Sequence, residues 1–388
     1  MRGAVLRLKR GHDRPRAHPW IFKSEVAGVT DAATPGVVTV IDADGHFIGR
    51  GFYNPRPTLC CRILTRVEEP LDGDFFRRRL EAAVATRPPA SDDSALRLVW
   101  SEGDLLPGLI IDRYAEVAVM QCQTLGMAGV RAVVAGALRA VVGDLPIWNA
   151  DDPVAARLEG FEPIRGWLDH VGPDSVVVSE PGARLSVKFG RGQKTGLYLD
   201  QAANRRRVRA WARDREMLDA FSYTGGFACH ALLAGARRAT CVESSPEAIA
   251  GARENFALNG LSERATIVPG NAFDELRRLE RSGTRFGLIV LDPPPFARSR
   301  SALPAASRGY KEINLRAMRL LEPGGVLLTF SCSHHVSDAI FEDICRDAAA
   351  DARVTLRVLE PLTQAADHPV LLTVPETRYL TGRVLQAI

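Results

Sequence analysis

The sequence lacks several features that would assign it to other classes. No apolar run in its 388 residues approaches the ~18 that a membrane span needs. Its start, Met1-Arg-Gly-Ala-Val-Leu-Arg-Leu-Lys-Arg10, has no secretion-signal core. A cytoplasmic protein that does not enter a membrane is the expectation. The seven cysteines are odd in number and scattered, with no CxxC pair, which argues against a disulfide framework or a zinc site and fits a reducing compartment. There is no GxGxxG turn, which counts against a nicotinamide dinucleotide. Internal repeats and low-complexity stretches are also absent. With 46% apolar and 25% charged residues, the chain can bury several cores across two or three domains.

The net charge of +4 conceals an asymmetry. Residues 1–66 carry eleven Lys/Arg against five Asp/Glu, residues 188–215 nine against two, and residues 298–319 six against one. Three basic segments in a nearly neutral chain suggest a polyanion held against several surfaces. An arginine-rich solvated surface is the plainer explanation of the same counts.

The first ~70 residues read as a small β-barrel, with Val37–Ile41, the turn Asp42-Ala-Asp-Gly45 and His46–Tyr53 as a hairpin. Residues 71–187 mix strand signals with helical segments at 74–90 and 129–142, an α+β middle domain without a chemical motif. From 188 to 388, strands alternate with helices. This predicts an α/β, doubly wound, mostly parallel sheet of order 3-2-1-4-5, its last two strands forming an edge hairpin.

Ligands in such sheets sit beyond the carboxyl ends of the strands. The first strand delivers Asp219-Ala-Phe-Ser-Tyr-Thr-Gly-Gly-Phe227, whose glycines allow backbone to approach a ligand at a helix start. Glu243 ends the second strand, suited to ribose hydroxyls. Asn271 follows the third and can reach an adenine edge. The fourth ends in Asp292-Pro-Pro-Pro-Phe296, a rigid loop with an acid and an aromatic suited to stacking a base. The fifth ends in Ser331-Cys-Ser-His-His335. Neighbouring fourth and fifth strands put Asp292 and Cys332 in one cleft. Lys194 to Gln201, followed by Arg205-Arg-Arg207, reads as an entrance touching ligand and polyanion. His334 and His335 lack a second ligand cluster for a metal.

The order of these motifs resembles class I S-adenosylmethionine-dependent methyltransferases, and more narrowly the RlmI-type 23S rRNA cytosine-5 methyltransferases. The anchors are Arg10-Gly-His-Asp13, His18-Pro-Trp-Ile-Phe22, Gln193–Gln201, Asp219–Phe227, Asp292–Phe296 and Ser331-Cys-Ser333. The resemblance implies a PUA RNA-binding domain (1–70), a middle domain (71–187) and a Rossmann-like methyltransferase domain with a seven-stranded sheet (188–388). It implies S-adenosylmethionine as cofactor, with Asp219, Phe221, Tyr223, Gly225, Glu243, Asn271, Asp292, Gln201 and Lys194 around it. Asn271 departs from the family's usual Asp, and Ala202 stands where relatives often carry Arg. Lys9, Arg10, Arg205, Pro293, Pro294 and Phe296 would meet the RNA, either 23S rRNA or a large-subunit precursor. No metal is implied, and a homodimer is compatible.

Cytosine C5 is a poor nucleophile until a thiolate adds to C6, a covalent strategy. Cys332 is the candidate nucleophile and Asp292 the group that steadies the N3 side. The sequence does not identify the base that removes the C5 proton. Rival readings are an RNA enzyme that methylates a purine nitrogen without a thiol, a small-molecule methyltransferase, a non-catalytic ribosome-assembly factor and a dehydrogenase.

Overall fold

The computed structural model describes residues 4–11, 18–30, 35–89, 91–168, 171–190, 196–297 and 299–388. It divides into two compact units: 1–176 with 188–197 and 366–377, and 177–187 with 198–365 and 378–388.

The first unit contains two sheets. The N-terminal one has six strands, Ala4–Leu8, Trp20–Phe22, Val26–Val29, Gly36–Ile41, Phe47–Tyr53 and Leu59–Thr65. All pair antiparallel except Ala4–Leu8 with Gly36–Ile41. Alternation sends Leu6, Val38, Val40, Cys61 and Ile63 into a common core. Asp42 makes the expected turn, its Oδ1 accepting the Asp44 and His46 amides. The second sheet orders its strands as Arg165–Trp167, Ile147–Ala150, Val117–Cys122, Leu109–Tyr114 and Ala95–Trp100. Helices Gly73–Ala85 and Arg131–Val142 pack on each other and share its core. The strands at 147–150 and 165–167 are too short to leave a sequence signal.

The second unit is built on seven strands: β1 (Glu216–Ala220), β2 (Arg238–Glu243), β3 (Ala265–Pro269), β4 (Phe286–Leu291), β5 (Leu321–Ser331), β6 (Leu356–Thr363) and β7 (Thr381–Ala387). Their order is β3-β2-β1-β4-β5-β7-β6, so the predicted 3-2-1-4-5 order stands. The first five run parallel, while β7 is antiparallel to both β5 and β6. The last two strands do pair at one edge of the sheet, with β6 outermost and β7 between it and β5. Five helices connect the strands: α1 (Gly226–Leu233), α2 (Pro246–Leu258), α3 (Ala272–Arg281), α4 (Leu303–Arg319) and α5 (Asp338–Ala352). Helices α3, α4 and α5 pack together, and α1 packs with α2 and the short helix Ala202–Arg207.

Covered faces explain the continuous apolar run of β4, Phe-Gly-Leu-Ile-Val-Leu, every residue of which is buried. Each of its large side chains contributes roughly 1.5–3 kcal/mol by burial. The hairpin Ser175–Glu180/Ala183–Lys188 precedes this sheet, and its residues 177–187 belong to the second unit, ahead of the boundary at 188 read from the sequence. Asn255 of α2 anchors it by accepting the Ser186 amide at 2.8 Å.

Candidate active site

The carboxyl ends of β1, β2, β4 and β5 bring most of the predicted residues together. Leu291 pairs with Thr329, so Asp292 and Cys332 leave adjacent strands at the same edge. The Cys332 thiol donates to the Pro293 carbonyl at 3.6 Å, a direct link between the two loops. The next residue strengthens that link. Ser333 Oγ accepts the Ala297 amide at 3.3 Å and lies 2.9 Å from the Tyr310 hydroxyl, with both side chains buried.

Cys332 also differs from every other cysteine in the chain. The other six are buried, and Cys332 alone is half-exposed. Burial pushes the Cys60 thiol up to about 11 and the Cys122, Cys229 and Cys345 thiols up to about 12. Thiolate chemistry needs access as well as ionisation, so these six are inert packing residues.

Residues 198–204 form a strap across the same edge. Gln201 donates through Nε2 to Asp292 Oδ1 at 2.8 Å, and Asn204 Nδ2 donates to Gln201 Oε1 at 2.6 Å. The second bond fixes which end of the Gln201 amide faces Asp292. Asp200 Oδ2 accepts the Tyr379 hydroxyl at 2.5 Å. The Tyr198 ring meets Tyr223 edge-on at 5.0 Å.

The β1 turn carries the marks of a ligand cradle. Phe221 and Tyr223 both hold positive φ, 64° and 49°, a conformation costing on the order of 1–3 kcal/mol each. Gly225 has φ +75°, and a Cβ there would come within 2.7 Å of Phe256 Cζ. Asp219 is fully buried. One of its oxygens accepts the Ala228 amide at 3.2 Å, while Oδ1 and the nearby Ser222 Oγ have no hydrogen-bond partner among the described residues. Burial, aided by the charges of Asp292 and Glu243, pushes the Asp219 carboxyl up to about 8 despite that amide bond. Glu243 accepts the amides of Tyr223, Ser244 and Ser245 at 2.7–2.9 Å. Three of roughly four carboxylate lone-pair positions are thus used, leaving one direction for a further donor.

Four expectations change. Arg205 does not face RNA: it is 5% exposed, forms a two-pronged buried pair with Glu180 and donates to the Tyr198 carbonyl at 2.7 Å. Burial alone would raise Glu180, but the Arg205 charge and the bonds from His230 and Arg205 bring it down to about 2. Phe296 is not an open stacking platform. Its ring packs inward on Tyr310 at 4.6 Å, Phe273 at 5.7 Å and Phe221 at 6.5 Å, because an aromatic after three prolines anchors the loop against α3 and α4. Pro293 is buried behind its carbonyl contact with Cys332, whereas Pro294 is exposed. The Asn271 carbonyl caps α3 by accepting the Phe273 amide at 2.8 Å, so any adenine bond must use its second lone pair. Lys194 lies outside the described residues. In the first unit Lys9 and Arg10 are exposed, Lys9 donating to the Ser24 carbonyl and Arg10 pairing with Asp44. Ser333 belongs to the Ser331-Cys-Ser333 motif, whereas Asn204, Tyr310 and Tyr379 were not singled out by sequence. Only Asn204 had a local signal, one helical turn from Gln201.

A family profile of S-adenosylmethionine-dependent methyltransferases matches residues 154–373, and a PUA-like domain profile matches residues 3–66. The ribosomal RNA large subunit methyltransferase I of Klebsiella pneumoniae strain 342 is 40% identical over 386 residues, covering 97% of this chain and 96% of that protein. This chain belongs to that methyltransferase family. The namesake from Alteromonas mediterranea is 37% identical, covering 98% of both chains. A Streptococcus mutans protein assigned as a SAM-dependent methyltransferase shares the fold of this methyltransferase, with TM-score 0.84 at 18% identity over 98% of this chain and 99% of its own. A methyltransferase solved in complex with SAH gives 0.83 at 18% identity, covering 98% and 99%.

The cofactor of the methyltransferase is S-adenosylmethionine. The cradle fits such a ligand: left-handed backbone at Gly225, packed against Phe256 of α2, lets the turn approach closely, and two buried polar atoms await a partner. Among the described residues no helix is long and apolar enough to cross a membrane, and no cluster of three or more His, Cys, Asp or Glu could hold a metal.

Proposed function

We propose that this protein methylates C5 of a cytosine in 23S rRNA through a covalent bond between Cys332 and C6. The observation that carries the reading is the position of Cys332, the one cysteine of seven left accessible, tied to the loop that carries Asp292. Curated relatives named for the large ribosomal RNA support the substrate class, as does the match of a PUA-like domain to residues 3–66. Exposed Lys9 and Arg10 add cationic surface that positions a phosphate backbone without reading bases.

When bound, the cofactor supplies an electrophilic methyl group. The Cys332 thiolate adds to C6, and the electron pair of the C5=C6 bond moves to give an enamine-like C5. Asp292, oriented by Gln201, holds the N3 side of the ring and steadies the adduct. Phe221, Tyr223, Gly225 and Glu243 form the cofactor cradle, with Asp219 behind them. After C5 takes the methyl group, loss of the C5 proton restores the double bond and expels the thiolate. The target base must be unpaired or flipped out of a helix. An enzyme methylating a ring nitrogen has no use for a thiol at this position.

The test is methyl transfer from labelled S-adenosylmethionine to unmodified 23S rRNA by wild type and Cys332→Ala, with the product mapped by bisulfite sequencing. One new 5-methylcytosine is expected, and the variant loses essentially all of it. Equal incorporation by Cys332→Ala would overturn the covalent route.

A further inference from the structure

The addition–elimination route requires a base for the C5 proton, and neither Cys332 nor Asp292 is suited to it. The thiol is bonded to C6 at that stage, and the Asp292 carboxyl serves the N3 side. The acidic and basic groups around the two residues can be taken in turn. Asp219 is fully buried behind the β1 turn. Glu243 is engaged by three backbone amides. The Tyr310 phenol is buried and spent on Ser333. Burial, together with the charges of Tyr223, Asp292 and Asp200, holds the Tyr198 phenol firmly protonated.

His334 and His335 lie exposed just past Cys332, and one further pair is linked to the catalytic residues through their neighbours Gln201 and His334. Asp200 precedes Gln201, which bonds Asp292. The Tyr379 ring lies 5.5 Å from the ring of His334, two residues past Cys332, with the planes 33° apart. Tyr379 and Asp200 close this ring of contacts through their 2.5 Å hydrogen bond, a short charge-assisted bond in which the phenol donates to a carboxylate. The strap is rigid at this point. The Asp200 carbonyl accepts the Ala365 amide at 2.9 Å, Asn204 Nδ2 donates to the Thr363 carbonyl at 3.0 Å, and the Tyr379 amide donates to Gln364 Oε1 at 3.2 Å. The phenol also satisfies the buried Asp200 carboxylate, so its loss removes a hydrogen bond as well as a proton carrier.

We propose that Tyr379 and Asp200 form the proton relay that removes the C5 hydrogen and thereby releases Cys332. This rests on the cytosine-C5 reading above. The C5–H bond breaks as its proton passes to the Tyr379 oxygen and the phenol proton passes to the Asp200 carboxylate. The C5–H electron pair forms the C5=C6 bond. The C6–S bond breaks with its electrons going to the Cys332 sulfur. No other reactant is needed.

Tyr379→Phe removes only the hydroxyl and keeps the ring beside His334. The experiment uses 23S rRNA transcribed with tritium at cytosine C5, a carbon-labelled methyl donor and enzyme in excess. Wild type is expected to release one tritium per methyl transferred. In Tyr379→Phe, methyl transfer should stay within a few fold, while tritium release slows by about 100-fold or more, in the range of lost general-base catalysis. A methyl-bearing protein–RNA species should then accumulate on a denaturing gel. Asp200→Asn should show the same split, a second route should either variant fold poorly. Equal rates for the two isotopes, whether both are normal or both depressed, would overturn the relay. Failure of wild type to form any adduct with 5-fluorocytidine RNA would instead overturn the covalent reading beneath it.

Discussion

Replacing Arg205 by methionine separates a structural brace from an RNA contact. Its guanidinium meets Glu180 through two nitrogens inside the second unit, 5% exposed against 7%, with His230 Nε2 at 2.9 Å from the same carboxylate. Removing one partner of a buried pair leaves the other charge stranded and costs about 3–5 kcal/mol. At about 2–4 °C per kcal/mol for a unit of this size, the melting temperature should fall by about 6–20 °C. The pH dependence has a definite sign. Glu180 is depressed from 4.5 to about 2, so its contribution is complete above 4.5 and lost as pH falls towards 2. Arg205→Met should shrink that acid limb, with His230 left as the partner of Glu180. The double variant Glu180→Gln/Arg205→Met should recover part of the loss, because no charge is left unpaired. Calorimetric melting across pH measures all three. A melting temperature within about 2 °C of wild type, with weaker RNA binding and a salt slope reduced by ~0.9, would refute the brace and restore the RNA contact.

Gly225→Ala forces a side chain into left-handed backbone, about 1–2 kcal/mol, and against Phe256 Cζ at 2.7 Å. SAH binding by titration calorimetry should weaken roughly 10- to 100-fold, and a change under about twofold would remove Gly225 from the cradle. Asp219 carries the opposite linkage to Glu180. Its carboxyl is raised from 3.8 to about 8, so its stabilising proton is fully held below 3.8 and lost as pH rises towards 8. Cofactor-free protein should therefore lose stability over that window relative to Asp219→Asn, which titrates nothing there. Parallel stability curves for the two would refute the shift.

The parts legible in sequence are those governed by short-range rules. β1, β2, β4 and β5 announce themselves as brief apolar runs that give way to acidic, proline-rich or small polar segments, and so Asp292 and Cys332 could be placed at one edge. Helix α4 was hidden by charge. Residues 298–319 read as a basic segment, yet Ala306, Tyr310, Ile313, Asn314 and Ala317 recur at helical spacing and are buried, while Arg316 and Arg319 pair with Glu280. The Arg205-Arg-Arg207 triplet misled for a related reason. Whether an arginine meets solvent or a partner depends on Glu180, supplied by a hairpin the local sequence does not connect to it. Phe296 looked like a base platform because the prolines before it suggested an exposed loop, but the loop turns its ring inward. The place of β7 between β5 and β6, and with it Tyr379 beside Asp200, is set by long-range pairing that no window of sequence contains.

The contrast among the cysteines makes the unmodified protein its own reporter. Six thiols are buried and one stands partly exposed beside the loop that carries Asp292. A thiol-reactive dye added to native protein should therefore couple to a single residue. The same dye should find all seven after unfolding. No background cysteines need to be removed to attach a fluorophore or spin label at this point. Protection of that label site by an RNA fragment would report occupancy of the cleft directly, without waiting for turnover.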